Sequence, residues 1–207
     1  MGLSSFAILC FVSLAYMRAF LFIKVENMDY KAMIMTDKDM ERALKRIAHE
    51  IIENCQMESL YLVGIQRRGV PIAKRIAKYI NQFEEVNIPI GILDITFYRD
   101  DLSLLSDHPI INGTDVPFSI QDKTVVMIDD VLYTGRTGRA AIDALMDMGR
   151  PKCIKFAVMV DRGHRELPIR ADFVGKNLPT SKSEIVHVMV SEMDDCDMVV
   201  ITDEKNN

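Results

Sequence analysis

Two adjacent carboxylates, Asp129 and Asp130, close an apolar run, Val125-Val126-Met127-Ile128. A short loop of small and hydroxyl-bearing residues follows them: Val131, Leu132, Tyr133, Thr134, Gly135, Arg136 and Thr137. Like charges side by side at the end of a buried strand cost free energy unless a hydroxyl-rich ligand or a cation compensates them. The loop feeds a helical pattern, GRAAIDALMDMG, expected to begin near Gly138. Backbone N–H groups, the hydroxyls of Tyr133, Thr134 and Thr137, Arg136 and the positive end of the helix would converge there on one point, which suits a phosphate. Carboxylates that accept from ribose hydroxyls, joined to a loop that holds a 5′-phosphate, read a sugar phosphate at both ends. The spacing fits neither the Walker loop nor the dinucleotide G-x-G-x-x-G. The competing reading is an ordinary strand-to-helix turn with two solvated aspartates.

A buried strand must precede this loop and a helix must follow it. The run 125–128 has the uninterrupted apolar character of a parallel strand covered on both faces. The helix after it stops at Met148-Gly149-Arg150-Pro151, glycine and then proline. Upstream, Tyr30 to Met35 reads as a short edge strand. Thr36 with Asp39 is a capping signal for a helix whose buried stripe is Met40, Leu44, Ile47 and Ile51. Ser59 to Gly64 is a strand, and Ile65-Gln66-Arg67-Arg68-Gly69 a tight turn before a helix from Val70 to Phe83. Glycines on both sides of Arg67 and Arg68 let the backbone approach a ligand, and the arginines invite an anion. Ile88 to Tyr98 is a further strand ending in an Asp-rich segment, and the unpatterned stretch 102–121 has the length of a functional lid or mobile loop. Lys152 to Val160, Val186 to Val190 and Met198 to Ile201 supply the last strands, expected to close the sheet. Alternating strands and helices make an α/β fold with a parallel sheet and a ligand at the carboxyl ends of the strands.

A second chemistry is suggested by cations. Arg42, Lys45, Arg46 and His49 recur at helical spacing opposite the buried stripe, and residues 161–184 are rich in Arg, Lys, Pro and Gly, including His164, Arg165, Arg170, Lys176 and Lys182. Such a face could grip a polyanion; a plain solvated face is the alternative. Overall the chain is acidic, with net charge −5, so any basic surface must be local. Hydrophobic residues at 49% and charged residues at 27% are globular values in a 207-residue chain, which leaves room for one domain with a substantial core. Cys10, Cys55, Cys153 and Cys196 are far apart and form no metal or disulfide pattern, which points to a reducing cytoplasm. Residues 1–27 form an apolar extension whose uncharged part is shorter than the roughly 20 residues a spanning helix needs. An upstream start with Met28 as the real one, a weak anchor and a structural segment remain the three readings. Residues 28–207 would then form the domain.

The segment VVMIDDVLYTGRT resembles the 5-phosphoribosyl-1-diphosphate (PRPP) signature of the type I phosphoribosyltransferases. GIQRRG, DITFYRDDLS and VDRGHRELPIRADFVGKNLPTSKSE add a closer likeness to the branch of that family that regulates bacterial pyrimidine operons and also makes UMP. The resemblance covers about Met28 to Ile201. It implies a mainly parallel central sheet flanked by helices, with a small hood region and a mobile loop. It implies PRPP with Mg²⁺, held mainly through PRPP, and conversion of uracil to UMP and pyrophosphate. It also implies binding of pyrimidine-operon leader mRNA under control of UMP or UTP, in a cytoplasmic homodimer or higher homo-oligomer with no membrane partner. By motif, Asp129 and Asp130 would bind ribose, residues 131–137 the 5′-phosphate, and Arg67 and Arg68 pyrophosphate. Arg99 would reach in from the mobile loop, and Val160, Asp161 and Arg162 would border the base. Arg42, Lys45, Arg46, His49, His164, Arg165, Arg170 and Lys176 would carry RNA. The chain departs from the family's usual threonine at Arg67 and at Lys45. A salvage transferase for another base, such as hypoxanthine, without an RNA role is the alternative, and only the likeness at 161–184 speaks against it.

Overall fold

A computed structural model describes residues 30–98 and 113–204. Its centre is strand β4 (Thr124–Leu132), whose residues Val125 to Ile128 are buried on both faces. We number the other strands β1 (Ala32–Met35), β2 (Leu60–Ile65), β3 (Ile90–Leu93), β5 (Cys153–Asp161), β6 (Phe173–Asn177), β7 (Glu184–Met189) and β8 (Met198–Asp203). The helices are α1 (Asp37–Asn54), α2 (Gly69–Glu84), α3 (Arg136–Met148) and the single turn α4 (Ser191–Asp194). Five strands form one parallel sheet in the order β3-β2-β4-β5-β6. Alternate residues of β4 serve opposite cores. Val126 and Ile128 pack with the buried stripes of α1 and α2, and Val125 and Met127 pack with Ala140, Ala141, Ala144 and Leu145 of α3. A parallel sheet needs this double cover, and each large side chain so buried contributes about 1.5–3 kcal/mol.

The α1 start is as its sequence announces. The Asp39 N–H donates to Thr36 Oγ1 at 3.3 Å, and the Thr36 N–H donates to the Asp39 carboxylate at 3.0 Å. Such a capping box stabilises a helix by about 1 kcal/mol. Helix α3 begins at Arg136, two residues before the expected Gly138, because Gly135 takes a left-handed conformation at φ 94° and ends the loop there.

The two C-terminal strands correct the sequence reading. β7 and β8 do not extend the main sheet but join β1 in a separate antiparallel sheet, ordered β1-β8-β7. The strand beside β5 is instead β6, inside the basic stretch 161–184. Edge strands need few apolar residues, and β6 has Phe173 as its only fully buried one. The small sheet forms a hood tied to α2 by Arg75. Its guanidinium donates to Glu192 Oε1, Ser191 Oγ and Asp197 Oδ1, each at 2.8 Å. Burial alone would lower the Arg75 pKa, but the hydrogen bonds to Glu192 and Asp197 outweigh it and push the pKa up.

Candidate functional site

The carboxyl ends of β2, β3 and β4 and the start of α3 surround one composite depression. Its larger lobe, about 450 Å³, is lined by Gln66, Arg67, Arg68, residues 94–96, Asp129, Asp130, Val131 and Thr137. A second lobe of about 290 Å³ is lined by Asp129, residues 131–137 and Phe156, and Asp129, Val131 and Thr137 are common to both. The residues expected to meet ribose, phosphate and pyrophosphate thus line two adjoining lobes that have Asp129, Val131 and Thr137 in common. A slightly larger cleft of about 500 Å³ lies between α1, α2 and α4; Arg75 in its wall is paired with Glu192 and Asp197, and none of the motifs reaches it.

Asp129 is buried, Asp130 is half-buried, and each carboxylate accepts the N–H of the next residue, from Asp130 at 2.9 Å and from Val131 at 2.8 Å. These bonds fix the carboxyl planes at the strand end. Beyond them the loop is held from behind. The carbonyls of Leu132 and Thr134 accept backbone N–H groups of Arg162, Glu166 and Leu167 at 2.9–3.1 Å. Thr134 Oγ1 accepts from the Arg136 N–H at 3.3 Å, and Arg136 donates to Glu166 at 2.8 Å. The Tyr133 ring lies under the Arg162 guanidinium, 4.1 Å from its carbon, and edge-on to His164.

Opposite this loop stands the Gln66-Arg67-Arg68 turn, in which the Gln66–Arg67 peptide is cis. Arg67 is exposed and makes no hydrogen bond or ion pair among the described residues. Arg68 lines the depression, yet its guanidinium donates to both oxygens of Asp194 in α4, at 2.8 and 3.2 Å. That pairing raises its pKa. A Cβ on Gly69 would stand 2.2 Å from the Ile128 carbonyl oxygen, so only glycine lets this turn come so close to Asp129. Arg99 lies outside the described residues, as does the extension 1–27 and most of the stretch 102–121.

Other expected residues have different surroundings. Val160 is fully buried in β5 opposite Val131. Arg162 is buried too, donating to Thr180 Oγ1 at 3.2 Å and the Ser181 carbonyl at 3.0 Å, while Asp161 accepts from the Gly163 N–H at 3.0 Å. The cations split into two groups. Arg42, Lys45, Arg46 and His49 lie on α1, with Arg46 donating to the Val174 and Gly175 carbonyls of β6, the strand that holds exposed Lys176. Three of them pair with acids of their own helix, Arg42 with Asp39, Lys45 with Glu41 and Arg46 with Glu50. His164 and Arg165 belong to the segment that crosses to the α3 face. His164 contacts the Thr180 carbonyl, Arg165 is turned inward, and Arg170 is exposed.

The sequence reading missed Gln66, Asp94 and Thr96 as lining residues. Asp94 and Thr96 could have been found from their place at the end of β3, since ligands of parallel sheets sit beyond the strand carboxyl ends. No local signal announced Asp194, which comes from the hood. Among the described residues, no group of three metal-ligating side chains stands together.

Residues 32–192 match the phosphoribosyl transferase domain family, and the chain belongs to it. Within that family it is 64% identical over 169 residues to the bifunctional protein PyrR of Caldicellulosiruptor saccharolyticus, covering 81% of this chain and 93% of that protein. It is 58% identical over 173 residues to the bifunctional protein PyrR of Thermus thermophilus, covering 83% and 96%. The fold is shared with a hypoxanthine phosphoribosyltransferase from Staphylococcus aureus (TM-score 0.65, 21% identity, 86% of this chain and 94% of that one). It is shared equally with that of Trypanosoma cruzi (TM-score 0.66, 18% identity, 84% and 95%).

Proposed function

We propose that the protein transfers a phosphoribosyl group from PRPP to uracil, giving UMP and pyrophosphate, and that it binds pyrimidine-operon leader mRNA to promote transcription attenuation. The observation that supports the chemistry best is the pair of adjoining lobes, joined through Asp129, Val131 and Thr137, that gather Asp130 and the Arg67-Arg68 turn on one side and the rest of the 131–137 loop on the other. The RNA role is supported by identities of 64% and 58% to proteins named bifunctional PyrR, of which 93% and 96% is covered. The purine transferases share only the fold.

Breaking the bond from the anomeric carbon to pyrophosphate builds positive charge on the ribose. Catalysis then depends on holding the two reactants in line and keeping water out, and needs no side-chain nucleophile. In this reading Asp129 and Asp130 accept from the ribose hydroxyls, the loop N–H groups hold the 5′-phosphate, and Arg67 faces pyrophosphate. Mg²⁺ keeps several waters and is bound by substrate phosphates plus one or two carboxylates. That habit fits a site with an acidic pair and, among the described residues, no three-ligand cluster, so Asp129 and Asp130 are the residues that would meet the PRPP-borne ion. The ion would neutralise the leaving pyrophosphate. No helix among the described residues is long and apolar enough to cross a membrane. The reading places the enzyme with its substrates and leader RNA in the cytoplasm as a homo-oligomer.

The test is a titration of pyrimidine leader RNA with and without UMP. UMP should tighten binding by about 5- to 150-fold, the usual span of an allosteric effector. RNA binding that is absent, or indifferent to UMP, would leave the transferase reading and remove the regulator.

A further inference from the structure

Arg165 was expected on a surface, but its side chain is only 20% exposed and every nitrogen of its guanidinium is engaged. Nε donates to the Ile169 carbonyl at 2.8 Å, and Nη1 to the carbonyls of Tyr133 at 2.5 Å, Gly163 at 3.1 Å and, weakly, Leu132 at 3.4 Å. Nη2 donates to the Asp161 carboxylate. Around it the Arg162 N–H donates to the Leu132 carbonyl, and the N–H groups of Glu166 and Leu167 to the Thr134 carbonyl. Three consecutive carbonyls of the loop, 132, 133 and 134, are thus drawn to one side by the segment 162–167.

A trans peptide points its C=O and the following N–H in opposite directions. Drawing those carbonyls back therefore turns the N–H groups of Tyr133, Thr134 and Gly135 forward, into the lobe that these residues line. None of the three N–H groups has a hydrogen-bond partner among the described residues. Unpaired backbone donors gathered at a helix start are an anion site in waiting, and among the described residues the carbonyl of Tyr133 has only Arg165 to hold it.

We infer that Arg165 is a positioning residue of the transferase site: it holds the phosphate loop from behind so that the loop presents N–H groups to the 5′-phosphate. This rests on the reading of residues 131–137 as the phosphate loop. The Arg165 guanidinium is engaged by protein groups on every nitrogen, so it acts through the loop.

The experiment compares UMP with uridine, which lacks the phosphate, by calorimetric titration of the wild-type protein, Arg165→Gln and Arg165→Lys, with melting temperature as a check on folding. In the wild type UMP should bind far more tightly than uridine. In Arg165→Gln that preference should fall at least tenfold while uridine affinity changes little, and KM for PRPP should rise more than kcat falls. Arg165→Lys keeps the charge and one direction of donation, so it should recover part of the preference and remain the informative variant if the Gln form does not fold. A folded variant of either kind with the wild-type preference would overturn the inference. A loss shared equally by uridine and UMP would also overturn it, since that marks general destabilisation. Wild-type protein that binds UMP no better than uridine would overturn the phosphate-loop reading itself.

Discussion

Gly69→Ala asks whether the Arg67-Arg68 turn and strand β4 touch as closely as the structure has them. Gly69 opens α2, where alanine is ordinarily the better helix former by about 1 kcal/mol. Propensity alone therefore predicts a more stable protein. The added methyl, however, would stand 2.2 Å from the Ile128 carbonyl oxygen, 3.1 Å from its carbon and 3.2 Å from Asp129 Cα. Unstrained contacts between carbons lie near 3.5–4.0 Å, so roughly 1 Å of separation is missing. The opposing atoms are backbone of the central buried strand, so the turn must move. Overpacking of this kind costs about 1–3 kcal/mol, which at about 2–4 °C per kcal/mol for a chain of this size lowers Tm by roughly 2–12 °C. The displaced turn also takes Arg67 and Arg68 away from Asp129. A shift of about 1 Å in reacting groups can cost about a hundredfold in rate. Thermal melting and PRPP saturation kinetics read both effects. An alanine variant that melts higher than the parent with unchanged KM for PRPP would refute the close approach.

Three further outcomes follow from the same geometry. Asp130→Asn should lower UMP formation by about 10- to 150-fold, the worth of one charged hydrogen bond, without loss of fold, as measured by steady-state rates and melting; near-parental activity would remove Asp130 from the ribose site. Arg42→Gln with Lys176→Gln, both exposed and neither engaged with a backbone carbonyl, should weaken leader RNA binding. If about four phosphates are neutralised, the slope of log K against log salt should lie near −3 in the parent and be shallower by about 1.4 in the double variant; an unchanged slope would mean a plain solvated face. His187 has its pKa lowered, by burial first and then by nearby Arg68. The unfolded chain therefore binds the proton more readily, so the contribution of His187 to stability is present above its unfolded pKa of about 6.5 and is lost as pH falls below that value. Tm should fall less steeply as pH drops below about 6.5 in His187→Asn than in the parent, and parallel curves would discount the effect.

What the sequence made legible was whatever is written in neighbouring residues. The strand at 125–128, its carboxylates and the loop after them are one contiguous signal. The α1 cap needs only Thr36 and Asp39. β6 stayed hidden because an edge strand with one buried residue has no apolar run to see. The hood stayed hidden because pairing of β8 with β1 joins Ile201 to Ala32 across most of the chain, and no local pattern encodes such a partner. Arg165 shows the same limit at the scale of a side chain. In a run rich in Arg and Lys it is indistinguishable from exposed Arg170, and only the fold reveals that it donates to the carbonyls of the 131–137 loop.

The central claim is that this depression joins phosphoribose to uracil. One reaction tests it directly: purified protein with PRPP, Mg²⁺ and equal concentrations of uracil and hypoxanthine, its products resolved by chromatography. The account predicts UMP and pyrophosphate in equal amounts with little or no IMP. IMP as the main product, or no nucleotide at all, would contradict it.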